Sequence, residues 1–113
     1  MKAVTKIILF DENGEKFFGD GPMRLLYAIE ETGSLRSAAA SMNMAYSKAL
    51  RIIKNAENAL GFPLTERTVG GKSGGGSRLT KRGKEWLQLY EKYRNACCEA
   101  NGKLYNEFFS CLQ

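Results

Sequence analysis

The sequence has no histidine, two prolines, three cysteines and no long apolar run. Without histidine the chain lacks the commonest general base and the commonest metal ligand. No nucleophile and base at useful spacing replace it, so we expect a protein that is not an enzyme and that needs no metal and no cofactor. Apolar runs stay well below the roughly 18 residues that span a bilayer. The N-terminal MKAVTKIILF continues into DENGEK without a small-residue cleavage site, so we expect no signal peptide. Because the chain also lacks a spanning run, we expect no membrane partner.

The three cysteines lie together near the C-terminus, at Cys97, Cys98 and Cys111. An odd, clustered set is not a disulfide framework, and it favours a reducing, cytoplasmic location. Cys97 and Cys111 would be about 21 Å apart along a helix, too far to hold one ion within a chain. Their interpretation as small apolar side chains is favoured over a metal or redox site between two chains.

The positive charge is concentrated in one segment. The net charge of the chain is +5, but residues 34–84 alone carry +8, whereas residues 1–33 carry −2 and residues 85–113 carry −1. Such concentration indicates a polyanionic partner. A solvated basic face is the alternative that charge alone leaves open.

Local patterns predict an α+β fold that is mostly α. VTKIILF and Phe17-Phe18 flank Asn13-Gly14 and predict a β-hairpin, within residues 1–20. Three helices follow: the first begins near a capping Asp20 and ends at Gly33, the second has Ser34 as its cap, and the third ends at Gly61. LTERTV and SRL predict a second hairpin, which completes a unit over residues 21–80. Thr80 then caps a long helix over residues 81–113.

The loop GGKSGGG, residues 70–76, contains the Gly-Lys-Ser that ends a P-loop. A P-loop needs a further glycine five residues before Gly71, and Glu66 stands there, where its carboxylate would repel a phosphate. The loop also lies between two predicted strands instead of entering a helix. The sequence therefore predicts no nucleotide site. A glycine-rich basic hairpin after a helix-turn-helix is instead typical of a wing that contacts the phosphates of a DNA duplex.

GSLRSAA, AYSKALRIIKNAE and PLTERTVGGKSGGGSRLT, in this order, resemble the DNA-binding domain of ModE-type regulators and, more distantly, of LysR-type regulators. The resemblance implies a winged helix-turn-helix transcriptional regulator that binds double-stranded DNA as a homodimer, with the third helix in the major groove. Serine is usual in the family where Ala45 stands. Full-length ModE-type regulators continue into molybdate-binding domains, which we expect to be absent here because the sequence ends at Gln113. The positions implied to contact DNA are Arg36, Ser37, Tyr46, Ser47, Lys48, Arg51, Lys54, Arg67, Lys72, Ser73 and Arg78.

The last helix carries a long seam of apolar residues at three- and four-residue steps, typical of a coiled coil. We expect this seam to pair two subunits, and packing of the helix on its own domain is the alternative. A winged-helix module that binds protein, with little specific DNA binding, remains an alternative function. The predicted interface consists of Trp86, Tyr90, Tyr93, Cys97, Ala100, Leu104, Phe108 and Cys111.

Overall fold

The computed structural model describes residues 1–69 and 75–112. Its elements are β1 (Leu9–Phe10), β2 (Lys16–Phe18), α1 (Asp20–Thr32), α2 (Leu35–Ser41), α3 (Tyr46–Leu60), β3 (Thr65–Thr68), β4 (Gly76–Leu79) and α4 (Lys81–Phe109), followed by a 3-10 turn over Ser110–Leu112. β1 pairs with β2 and β3 pairs with β4, both antiparallel. The mostly helical α+β fold with two hairpins is confirmed.

The core forms where the apolar faces of α1, α2 and α3 meet. Leu25, Leu26 and Ile29 of α1 are fully buried, and Ala38 and Ala39 let α2 approach closely. The inward face of α3 is small or apolar, and Phe18, Leu64, Leu79, Leu87 and Tyr90 close the same cluster. A single core therefore fixes the three helices, both hairpins and the first half of α4 relative to one another.

The N-terminal segment differs from the predicted strand over VTKIILF. Only Leu9 and Phe10 pair with β2, because β2 has just three residues before α1 begins. The preceding residues run along α4 instead. The Tyr90 hydroxyl donates to the Ile7 carbonyl at 2.8 Å, and the Asn101 amide donates to Thr5 Oγ1 at 2.6 Å. The segment thereby ties the far part of α4 to the body of the protein.

Helix ends follow the sequence signals with one exception. Ser34 Oγ accepts the Ser37 amide and Thr80 Oγ1 accepts the Gly83 amide, so both predicted N-caps are confirmed. The prediction that Asp20 caps α1 is wrong. Gly19 is the cap, and Asp20 lies in the first turn with its carboxylate 3.5 Å from Arg94 Nη1. α4 continues unbroken for 29 residues, yet among the described residues no helix combines the length and apolarity that crossing a membrane requires.

Candidate nucleic-acid interface

A tight reversal connects α2 to α3. Asn43 takes a left-handed backbone conformation at φ 53°, which asparagine tolerates better than most residues. The amides of Asn43 and Met44 then bond back to carbonyls of α2 at 3.1 and 2.9 Å. This turn directs α3 across α2 and fixes which of its faces is buried. Ala49, Ile53 and Ala56 point into the core.

The opposite face of α3 holds the residues that the sequence singled out. Ser47, Lys48, Arg51 and Lys54 are all exposed there. Lys54 forms an i,i+3 ion pair with Glu57 at 3.6 Å. Within the described part of the chain no carboxylate pairs with Lys48 or Arg51, so their charges are available to a polyanion.

Arg36 and Tyr46 meet at the start of α3. The Arg36 guanidinium of α2 lies over the Tyr46 ring, 4.4 Å from its centroid. Tyr46 is the first residue of α3, and the preceding Ala45 provides no side-chain cap. Ser37 is exposed beside Arg36, and its amide belongs to the Ser34 cap. This contact between helices was not visible in the sequence, where the two partners are ten positions apart.

The wing carries the remaining predicted residues. β3 and β4 pair Glu66 with Arg78 and Arg67 with Ser77, so Arg67 and Arg78 lie on opposite faces of the two-stranded ribbon. Arg78 also forms an exposed ion pair with Glu66 at 3.7 Å, whereas Arg67 is exposed. Lys72 and Ser73 lie outside the described residues. The glycine-rich loop connects two antiparallel strands, as the sequence predicted, and a P-loop would connect a strand to a helix.

The base of the wing is fastened to the turn between α1 and α2. The Ser77 amide donates to the Gly33 carbonyl at 2.8 Å. Gly33 ends α1 with φ 83°, a conformation that favours glycine. A side chain at Gly76 would collide with the same Gly33 carbonyl and would lie 2.9 Å from Thr68 Oγ1. These contacts therefore hold the base of the wing against the turn between α1 and α2.

The predicted dimer seam divides into two parts. Tyr90 is buried in the core of its own chain, which corrects its assignment to an interface between subunits, whereas Trp86 packs against the same core and stays partly exposed. Tyr90 is only 2% exposed, and the Trp86 ring centroid lies 5.4 Å from that of Phe18. The hairpin covers this part of α4, and sequence spacing alone did not reveal that cover.

The rest of the seam forms a stripe along the outside of α4 that ends at Cys111 in the following 3-10 turn. Tyr93, Leu104 and Phe108 are 52, 51 and 71% exposed, Ala100 and Cys111 are exposed, and Cys97 is half-buried. Leu89, which the sequence reasoning missed, is exposed on the same stripe, one turn before Tyr93. We call this set the α4 stripe: Leu89, Tyr93, Cys97, Ala100, Leu104, Phe108 and Cys111.

Three tyrosines have a raised pKa, and none lies on the exposed face of α3. Burial raises the pKa of Tyr90. Hydrogen bonds to Glu91 and to Cys97 raise the pKa of Tyr27 and of Tyr93, respectively. In the described ranges no three His, Cys, Asp or Glu side chains are grouped as metal ligands would be.

Comparison with known proteins places these features in a family. Residues 22–84 match the model of the bacterial regulatory helix-turn-helix proteins, LysR family. The chain is 35% identical over 88 residues to the transcriptional regulator ModE of Haemophilus influenzae. This alignment covers 77% of this chain and 34% of the relative. The chain is also 35% identical over 89 residues to the DNA-binding transcriptional dual regulator ModE of Escherichia coli K12, with the same coverage. The chain spans about a third of the length of these relatives.

Two solved structures share the fold. The DNA-binding domain of CbnR, in a complex with DNA, superposes with a TM-score of 0.53 at 20% identity, over 82% of this chain and 97% of the other. The DNA-binding domain of BenM, in a complex with benA site 1 DNA, superposes with a TM-score of 0.52 at 26% identity, over 71% of this chain and 84% of the other. The arrangement of α1 to α3 and the β3–β4 wing is thus a winged helix-turn-helix.

Proposed function

The chain belongs to the LysR family of bacterial regulatory helix-turn-helix proteins, and from this premise we propose that it is a sequence-specific, DNA-binding transcriptional regulator. α3 enters the major groove, and the wing contacts the neighbouring backbone. The observation that carries the proposal is the outward face of α3. It presents Ser47, Lys48 and Arg51 to solvent, while the opposite face of the same helix is held in the core.

The exposed residues divide into two roles. Arg51 lies within the first two turns of α3, where its planar guanidinium can donate two parallel hydrogen bonds to a guanine edge. Lys48 and Arg67 neutralise phosphates, which adds affinity without sequence preference. Arg78 and Lys54 already have carboxylate partners at 3.7 and 3.6 Å, so each contributes less net charge to the duplex.

Selection from a randomised duplex library at about 0.15 M salt tests the proposal, since that salt suppresses purely electrostatic binding. An enriched motif is the expected result. Arg51→Ala should lower the affinity for the enriched duplex by about tenfold or more, and the affinity for random DNA much less. Lys103→Ala is the matched control, because it also removes one cation, but from an ion pair with Glu99 on the distal part of α4. Binding at low salt without any enrichment would contradict base readout and favour a protein-binding module.

We also propose a homodimer through the α4 stripe, with the two helices antiparallel and crossing at Ala100. The stripe extends eleven residues to either side of Ala100, to Leu89 and to Cys111, so a partner in this register covers all of it. The small side chain at the centre allows close approach. Lys92 then lies beside Glu107 of the partner subunit, and both residues are exposed within one chain.

Charge reversal tests this register. Lys92→Glu should raise the dimer dissociation constant several-fold, because two carboxylates then face each other. The double variant Lys92→Glu, Glu107→Lys should return the dissociation constant to near the wild-type value. Analytical ultracentrifugation over a concentration series measures both effects. A double variant that stays as weak as the single one would exclude the antiparallel register. A wild-type protein that remains monomeric would exclude the homodimer.

A further inference from the structure

Arg36 has two features that together point beyond a simple phosphate contact. Its guanidinium lies over the Tyr46 ring at 4.4 Å, and in the described part of the chain no carboxylate pairs with it. A cation over an aromatic face is attracted by the ring quadrupole, and arginine adds flat stacking that lysine lacks. The contact joins the first turn of α2 to the first residue of α3.

Tyr46 lies at an exposed end of α3, where the Arg36 contact can set the direction of its ring. It is the first residue of the helix, it is 37% exposed, and Ala45 has no side-chain oxygen to cap the helix. An exposed aromatic ring without a partner samples several rotamers, and ordering it on binding costs affinity. The Arg36 stack fixes the ring in advance at the end of α3 that enters the groove in the proposed function.

We propose that Arg36 is a positioning residue: it orients the Tyr46 ring for contact with DNA, and the two side chains act as one unit. This proposal rests on the proposed DNA-binding function. According to this proposal, Arg36 raises the affinity for DNA in two ways: by its positive charge, and by orienting the Tyr46 ring. A double-mutant cycle separates the two effects, because the loss of charge is the same in both backgrounds.

The experiment measures affinity for the enriched duplex with wild type, Arg36→Ala, Tyr46→Ala and the double variant. In the wild-type background Arg36→Ala should lower affinity by about tenfold, and in the Tyr46→Ala background by only about threefold, since an exposed cation–aromatic contact corresponds to a factor of about 2 to 5. Arg36→Lys keeps the charge, so it should leave the salt dependence unchanged while losing about threefold in affinity.

Three results would decide against the proposal. An equal factor for Arg36→Ala in both backgrounds would show that Arg36 acts alone. Full affinity of Arg36→Lys would show that only charge matters. A lower melting temperature of Arg36→Ala, matching its loss of affinity, would show a merely structural role. A wild-type protein that binds no duplex would remove the proposed function itself, a result distinct from the first three.

Discussion

Gly83 offers the sharpest test of how α4 is attached to the winged helix. It is buried in the first turn of α4, and a Cβ there would collide with the Leu64 carbonyl oxygen and lie 3.0 Å from its carbon and 3.1 Å from its Cα. Leu64 cannot yield easily. Its amide donates to Glu57 Oε2 at 2.8 Å, and its carbonyl accepts the Thr80 amide at 2.9 Å. We therefore expect Gly83→Ala to destabilise the fold.

Gly102 on the same helix is the matched control. A Cβ there would meet nothing within 4 Å, and the residue is not part of the α4 stripe. Gly102→Ala should stabilise the fold by about 0.5–1 kcal/mol, because alanine restricts the unfolded chain more than glycine does. Gly83→Ala gains the same propensity term but loses about 1–3 kcal/mol or more to the collision. The same substitution should thus have opposite signs at the two positions.

Thermal unfolding followed by circular dichroism measures both variants, at one protein concentration because association would shift the midpoint. For a domain of this size 1 kcal/mol corresponds to a shift of about 4–8 °C. We expect the midpoint of Gly102→Ala to rise by a few degrees and that of Gly83→Ala to fall by about 5 °C or more. A Gly83→Ala variant as stable as wild type would refute the rigid contact between α4 and Leu64.

Two further predictions concern the N-terminal segment and the wing. Tyr90→Phe should cost about 1 kcal/mol of unfolding free energy, because it removes the hydrogen bond to the Ile7 carbonyl, as urea unfolding at pH 7 would show. The pKa of Tyr90 is raised in the folded state, so its contribution to stability is complete below the ordinary pKa near 10 and is lost as pH rises through the pKa of the folded state. The free energy of unfolding should therefore fall less steeply between pH 9 and 11 in Tyr90→Phe than in the wild type. Gly76→Ala should displace the wing from the Gly33 carbonyl and cost more free energy of DNA binding than free energy of unfolding. Unchanged affinity for DNA would show that the position of the wing is unimportant for binding.

The helical part of the fold was predictable because its signals are local. Ser34 and Thr80 act as caps within three residues of the amides that they bind, and Gly33 and Gly61 end helices through their own backbone angles. Such patterns report on one element at a time, and they sufficed for element order and for the basic surface.

The failures concern contacts between elements that are distant in the sequence. Trp86 and Tyr90 continue the spacing of the α4 stripe, yet the hairpin covers them with Phe17 and Phe18. No periodicity within α4 can reveal a partner that is about 70 residues away. The stack of Arg36 on Tyr46 was missed for a similar reason, since it depends on the angle at which α3 leaves the turn after α2.

Leu64 links the proposed DNA contact to the proposed subunit contact. Its amide bonds to Glu57 of α3, its carbonyl accepts the Thr80 amide, and Thr80 in turn caps α4 at Gly83. The Thr80 hydroxyl also donates to the Pro63 carbonyl at 2.7 Å, so Thr80 bonds to two successive carbonyls, those of Pro63 and Leu64, at this joint between α3 and α4. Because α4 is continuous from this joint into the α4 stripe, its direction relative to α3 is set by backbone contacts and does not depend on a hinge. In an antiparallel dimer the same contacts would set the distance between the two α3 helices, and hence the spacing of the DNA half-sites.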